Sequence, residues 1–223
     1  MTSTTPRFRR ALGVAALGLA LGAGLTACGE DDTTTTAEVS ATEHNDADVA
    51  FATDMIQHHA QALSMVDLTM DRPLDPEVEA LAEHIRAAQA PEIEQMVDWL
   101  TSWGEDVPET VRDHANASHD MSDMDGSDMG DDMADDMGDD MGGMDPDMPG
   151  MMSAADMDAL ASASDEEFQD MWLEMMIEHH EGAVEMAETE RSEGRFEDAV
   201  DLAGSIIDSQ SEEIATMQDL LGS

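Results

Sequence analysis

The sequence predicts an all-α protein: a four-helix bundle in which one helical hairpin is used twice. Three observations carry that prediction. Apolar residues recur at alternating steps of three and four through four long stretches. The second half of the chain repeats the first at a constant offset of 121 residues, without a gap, from Phe51/Trp172 to Leu100/Leu221. Finally, a single hairpin with so broad an apolar face cannot cover itself, whereas two such hairpins can cover each other.

Taken in order, residues 1–27 read as a lipoprotein signal peptide. Arg7, Arg9 and Arg10 form a positive start, and Ala11 to Leu25 is apolar but short and rich in Gly and Ala. Leu25-Thr26-Ala27-Cys28 resembles a bacterial lipobox, which makes Cys28 the expected site of lipidation and the anchor to a membrane. Residues 28–45, Thr-rich and acidic without periodicity, are expected to be a disordered tether.

The first hairpin spans 46–104. Its first helix is expected from Asp46 to Met70. Val49, Ala52, Ile56, His59, Leu63, Val66 and Met70 form one stripe, and Phe51, Met55, His58, Ala62 and Met65 form the next. Asp75 as N-cap and Pro76 as first residue open the second helix, and Gly104 closes it. Pro91 lies inside it and is expected to kink it.

Residues 105–152 cannot build a core and are expected to form a disordered acidic insertion rich in Met and Asp. The second hairpin spans 153–223, with a short helix near Ser153 to Ala161. Ser164-Asp165-Glu166-Glu167 reads as a capping box opening the next helix, Gly194 breaks it, and a last helix runs from Phe196 to Leu221.

Composition narrows the function. The chain has 223 residues with 53 Asp+Glu against 8 Lys+Arg, a net charge of −45. Such a surface repels nucleic acid and anionic membranes and attracts cations. Cys28 is the one cysteine, so there is no disulfide framework and no thiolate cluster.

Polar residues kept by both copies of an otherwise apolar repeat need a reason beyond packing. They are the pairs His58-His59 and His179-His180, and the Gln89/Glu92 and Gln210/Glu213 steps on the second helices. Buried polar groups without partners cost a few kcal/mol each, so these groups are expected to meet inside the bundle. Met55 to His59 and Met176 to His180 are spaced i,i+4, Met175 adds the same step to His179, and Met65 and Met186 lie two turns on. Imidazole with thioether is the donor set of a soft metal ion. His58, His59, Met55, Met65, His179, His180, Met175, Met176 and Met186 are therefore the candidate ligands, with Gln89, Glu92, Gln210 and Glu213 behind them.

In the insertion, His114, His119, Met121, Met124, Met129, Met133, Met137, Met141 and Met144 form a second, auxiliary soft-metal segment. A solubilising linker has no need of methionine, which oxidises easily when exposed. The bundle does not carry the Glu-x-x-His of di-iron carboxylate enzymes: the residues three before each histidine are Met55, Ile56, Met176 and Ile177. No nucleophilic triad or phosphate loop is present, so no catalytic residue is assigned and no enzyme is expected.

Phe51-Ala52-x-Asp54-Met55-Ile56-x-His58-His59-x-Gln61-Ala62, followed by Pro149-Gly150-Met151-Met152 and Met175-Met176-Ile177-Glu178-His179-His180-Glu181-Gly182-Ala183, resembles the signatures of family 305 of the domains of unknown function. The resemblance covers about Asp46 to Leu221. It implies a ferritin-like four-helix bundle of the kind common in secreted bacterial proteins, some of them linked to copper binding and copper tolerance outside the cytoplasm. The long Asp-Met insertion departs from the compact family pattern.

The expected function is that of an extracytoplasmic, lipid-anchored metal-binding protein that sequesters or hands over copper, as Cu(I), or silver. The first alternative is a structural or interaction lipoprotein whose histidine pairs are buried core groups. The second is a redox metalloenzyme.

Overall fold

A computed structural model describes residues 39–110 and 148–222. The described residues form five helices: α1 (Asp46–Asp67), α2 (Pro76–Trp103), α3 (Ala154–Ser162), α4 (Asp165–Glu193) and α5 (Glu197–Leu221). Among them no strand occurs beyond an isolated bridge between Ser40 and Phe196, and no helix is long and apolar enough to cross a membrane. The expected signal peptide, Cys28, the tether up to residue 38 and the Asp-Met segment 111–147 lie outside the described residues.

α1 and α2 form one hairpin, α4 and α5 the other, and α1 packs on α4. Their apolar faces close into two clusters. In one, Phe51, Ala52, Met55 and Ile56 of α1 meet Met96, Trp99 and Leu100 of α2, Ala183 and Ala187 of α4, and Ala199, Ala203 and Ile206 of α5. In the other, Ala62, Met65 and Val66 meet Val78, Leu81 and Ile85, Phe168, Trp172, Leu173 and Met176, and Met217. The start of α1 thus shares a cluster with the end of α4, and its end with the start of α4. The two helices run antiparallel. Trp172 is fully buried, and its indole N–H donates to the Met65 carbonyl (3.0 Å), so burial of the ring leaves no polar group unpaired.

The helix ends show where tertiary contacts override local signals. α1 stops at Asp67, three residues short of the expected Met70, because the chain turns there through Asp71 in the left-handed region (φ 66°). Arg72 ties that turn to the α3–α4 connection: its guanidinium donates to the carbonyls of Ala161 and Ala163, pairs with Asp165 and lies over the Phe168 ring. Asp75 stands at the N-cap of α2, but its side chain does not cap. Its carboxylate accepts from the Gln169 amide, whose oxygen accepts from the Asp75 N–H.

Ser164 likewise fails to close the expected box; its hydroxyl donates to Glu167 instead. Working capping boxes form at Asn45 with Asp48 and at Ser153 with Asp156. Gly104 takes the left-handed C-cap as expected, with φ 79°. α2 continues as helix through Pro91.

Two segments assigned to disorder are part of the fold. Residues 39–45, read as tether, dock on the α4–α5 turn. Ser40 bonds both ways with the backbone of Arg195 and Glu197, Arg195 pairs with Glu43, Asn45 donates to the Glu193 carbonyl, and His44 stacks on Trp103. Residues 148–152, read as the end of the insertion, form a strap across α4, with Met148 and Met152 buried. The reason is glycine on both sides. A Cβ on Gly182 would lie 2.2 Å from the Pro149 carbonyl oxygen, and one on Gly150 (φ 73°) would lie 2.7 Å from the Glu178 carbonyl oxygen.

Candidate metal centre

Between the two apolar clusters lies a polar layer. α1 supplies His58 and His59, α4 supplies His179 and His180, α2 supplies Gln89 and Glu92, and α5 supplies Gln210 and Glu213. All are buried except Glu92, which is partly exposed. The layer sits where α1 and α4 cross, so the repeat brings both histidine pairs to one place.

The two halves bond alike. His59 Nε2 lies 2.8 Å from Glu92 Oε2, and His180 Nε2 lies 2.8 Å from Glu213 Oε2. His58 Nε2 lies 3.1 Å from the Pro149 carbonyl oxygen of the strap. A carbonyl or carboxylate oxygen only accepts, so the proton sits on Nε2 in these three rings. Nδ1 is the position left over in each, and it is buried without a partner in all three. Neither ring nitrogen of His179 makes a well-formed hydrogen bond, the His58 backbone being the nearest group acting on it. The His58 and His179 rings are in contact, with centroids 3.7 Å apart and planes at 41°.

Burial, chiefly, with the neighbouring imidazoles adding to it, holds His58 and His179 well below the ordinary imidazole pKa, so both rings are neutral at pH 7. Gln89 is unpaired at both amide atoms and Gln210 at its oxygen. A buried polar atom left unmatched costs about 1–3 kcal/mol. Eight such atoms in one layer are therefore out of keeping with a core whose purpose is packing alone.

This arrangement suits cation ligation. Imidazoles oriented through one nitrogen by a carboxylate or carbonyl, with the other nitrogen unpaired, have the second-shell support typical of histidine metal ligands. Among the described residues no three His, Cys, Asp or Glu groups converge as a ready-made site. Imidazole with thioether is a donor set that suits a soft ion.

The expected methionines divide. Met55 and Met176 are fully buried one turn from the histidines, at the inner edges of the two clusters. Met175 packs at the rim of one cluster. Met65 and Met186 are each six residues from the nearest histidine, about 9 Å along the helix. Met65 is locked in the apolar core, and Met186 lines a separate cavity of about 170 Å³ with Asp54, Glu190 and Glu193. The structure does not bring these two to the layer. His114, His119 and the seven methionines from Met121 to Met144 lie outside the described residues.

The sequence reading missed three participants. Gln61 grips the strap, its amide donating to the Met152 carbonyl and its oxygen accepting from the Met152 N–H, both at 2.8 Å. Pro149 supplies the carbonyl on His58. His84 reaches Glu213 from α2 (3.0 Å). A signal for the first two was present: Gln61 aligns with Gly182 in an otherwise matching stretch, and this mismatch is where the strap is held on one side and let through on the other.

The sequence model of the Domain of unknown function 305 (DUF305) matches residues 48–221. The chain belongs to the DUF305 family. Solved DUF305 structures share its fold. A DUF305 protein of Streptomyces coelicolor, inferred to be secreted, is 30% identical with a TM-score of 0.60, covering 79% of this chain and 92% of that one. A DUF305 fragment from Deinococcus radiodurans is 28% identical with a TM-score of 0.59, covering 80% and 97%. CopM in its Cu(II)-bound form is 28% identical with a TM-score of 0.56, covering 78% and 95%, and CopM has also been solved with Cu(I) and with Ag. No curated protein matches the chain. The DUF305 family thus includes a protein that binds copper and silver.

Proposed function

We propose that this DUF305 protein is an extracytoplasmic, membrane-anchored carrier of copper, as Cu(I), or silver, holding the ion at His58, His59, His179 and His180 with Met55 and Met176. The observation that carries the reading is the layer of buried, unpaired imidazole nitrogens oriented by Glu92, Glu213 and Pro149. CopM bound to Cu(I), Cu(II) and Ag supports it. The chain's own residues do three things. Burial keeps His58 and His179 neutral, so their lone pairs are free at mildly acid pH. Glu92 and Glu213 supply negative charge beside the layer. The apolar clusters on both sides exclude water. The role is sequestration or hand-over without turnover, the Asp-Met segment gathers ions, and a lipid on Cys28 holds the protein at the membrane.

A competition titration of Cu(I) into the mature protein tests this reading. The full chain and a chain lacking residues 111–147 are expected to share a tight site that is lost when the four histidines become Gln. A binding curve indifferent to the histidines ends the reading.

That no three His, Cys, Asp or Glu groups converge among the described residues favours one competing reading, an interaction lipoprotein whose histidines are core groups. It predicts that the Gln variants lose stability with no change in metal affinity.

A further inference from the structure

The cavity that Met186 lines is separate from the histidine layer. It has about 170 Å³ and lies between the first turns of α1 and the last turns of α4. A water takes about 30 Å³ of liquid, so the space fits a ligand of a few heavy atoms. Phe51 and Met186 give it an apolar side, and Asp54, Thr189, Glu190 and Glu193 give it oxygens. The Thr189 hydroxyl already donates to the Glu185 carbonyl (3.1 Å), so only its capacity to accept is left. Among the described residues no basic side chain lines the wall.

Glu190 is the lining residue that packing does not explain. It is 1% exposed, yet neither of its carboxyl oxygens makes a well-formed hydrogen bond. The backbone N–H groups of Asn45, Arg195 and Phe196 all go to Asp48, which faces it. A buried carboxyl without donors is costly. The repeat does not ask for it: at the 121-residue offset Glu190 aligns with Thr69 and Asp54 with Met175, so the other hairpin forms without these acids. Asp48 and Asp54 of α1 and Glu193 of α4 surround Glu190 with negative charge, while the nearby Arg195 guanidinium is taken by Glu43. Burial and Asp48 push the Glu190 pKa up to about 8, so it carries a proton at neutral pH. Among the described residues no three acids or histidines converge. The oxygens are thus spread around the wall, an arrangement that suits an ion with several N–H donors better than a chelated metal.

We propose that this cavity binds a small primary alkylammonium ion, its tail against Phe51 and Met186 and its N–H donors shared among Glu190, Thr189 and the outer acids Asp54 and Glu193. The site is independent of the carrier function. Binding exchanges one positive charge for another: the ammonium enters and the Glu190 proton leaves to solvent.

The test is a calorimetric titration of butylammonium into the mature full chain at pH 7 in about 0.15 M salt, which screens the surface charge. Methyl NMR of Met186 reports the place. Binding should saturate, the Met186 methyl should shift along the same curve, and up to one proton should be released per ligand, as read from buffers of different ionisation heat. At pH 9 the release should fall toward zero, since Glu190 is then ionised while the amine keeps its charge. Glu190→Gln, whose amide can donate to Asp48, should weaken binding by about tenfold or more and release no proton. Ala50→Leu, at an exposed position lining the cavity, should block binding with a wild-type melting temperature. Butanol, with the same tail and no charge, should bind about tenfold more weakly or worse.

Binding that Glu190→Gln leaves unchanged, or that butanol matches, overturns the ammonium site. So does heat uptake with an unmoved Met186 methyl, which means association with surface acids only. A capped lysine that binds about tenfold more tightly than butylammonium assigns the cavity to a protein side chain, and the free amine is then the wrong ligand.

Discussion

Glu190 shows how a single side chain can set the pH profile of the fold. It is buried at the end of α4, and its carboxyl faces that of Asp48, which already accepts from the N–H groups of Asn45, Arg195 and Phe196. Burial, with Asp48 adding to it, pushes its pKa from 4.5 to about 8. An acid whose folded pKa is raised binds more protons folded than unfolded, so it loses stability as pH rises from 4.5 to 8. One proton is worth about 1.4 kcal/mol per pH unit, so up to about 2 kcal/mol should be lost between pH 6.5 and 8. Chemical denaturation across that range should show the decline in the wild type and a flat profile in Glu190→Gln, whose amide can donate to Asp48. His58 and His179 act at the other end. Their lowered folded pKa means that stability should fall as pH drops below about 6.5, where the unfolded imidazoles take up protons.

Gly182 makes a residue-scale test of packing. Alanine there places a methyl group against the Pro149 backbone, which has no room to yield without moving the strap. Gly182→Ala should destabilise the protein by about 1–3 kcal/mol, the range for overpacking, with Gly204→Ala as an unhindered control. A wild-type melting temperature for Gly182→Ala would contradict the close approach.

Among the described elements, the strap 148–152 touches the histidine layer from outside the four long helices, through the Pro149 carbonyl on His58. Gln61 holds it by two hydrogen bonds to Met152 and Pro149 holds His58. Replacing Gln61 with Leu leaves the buried N–H and carbonyl of Met152 without partners, which should cost about 2–4 kcal/mol in all. Amide exchange at Met152 should accelerate more than exchange in α2. Uniform acceleration would mean that the strap is not an independent unit.

Legibility also divided by element. The helices and their pairing followed from periodicity and the 121-residue offset, because both report side-chain faces directly. The cap at Asp75 failed because its side chain found Gln169, a distant partner that no local pattern announces, and at Ser164 the hydroxyl donates to the Glu167 side chain of its own box rather than accepting from a backbone N–H. The strap and the segment 39–45 were read as disorder because neither carries apolar periodicity; they are held by individual contacts, such as Gln61 on Met152 and His44 on Trp103, that no helical pattern announces.

At the scale of the whole molecule, the repeat places the histidine pairs where its two halves cross, sealed between two apolar clusters. The sites on α1, α2, α4 and α5 were legible because two copies kept the same polar residues. Met65 and Met186 were not separable from Met55 and Met176 by spacing alone, since all four lie on the buried stripes; only the layering shows which flank the histidines. His84 was invisible because it breaks the repeat rather than keeping it.

The measurement that bears most directly on the account is an imidazole 15N NMR titration of the mature protein with Ag(I), a diamagnetic stand-in for Cu(I). The account predicts that the first equivalent shifts Nδ1 of the layer histidines, while Nε2 of His59 and His180 keeps its proton toward Glu92 and Glu213. Histidine resonances that stay unmoved while only methionine methyl groups respond would contradict it.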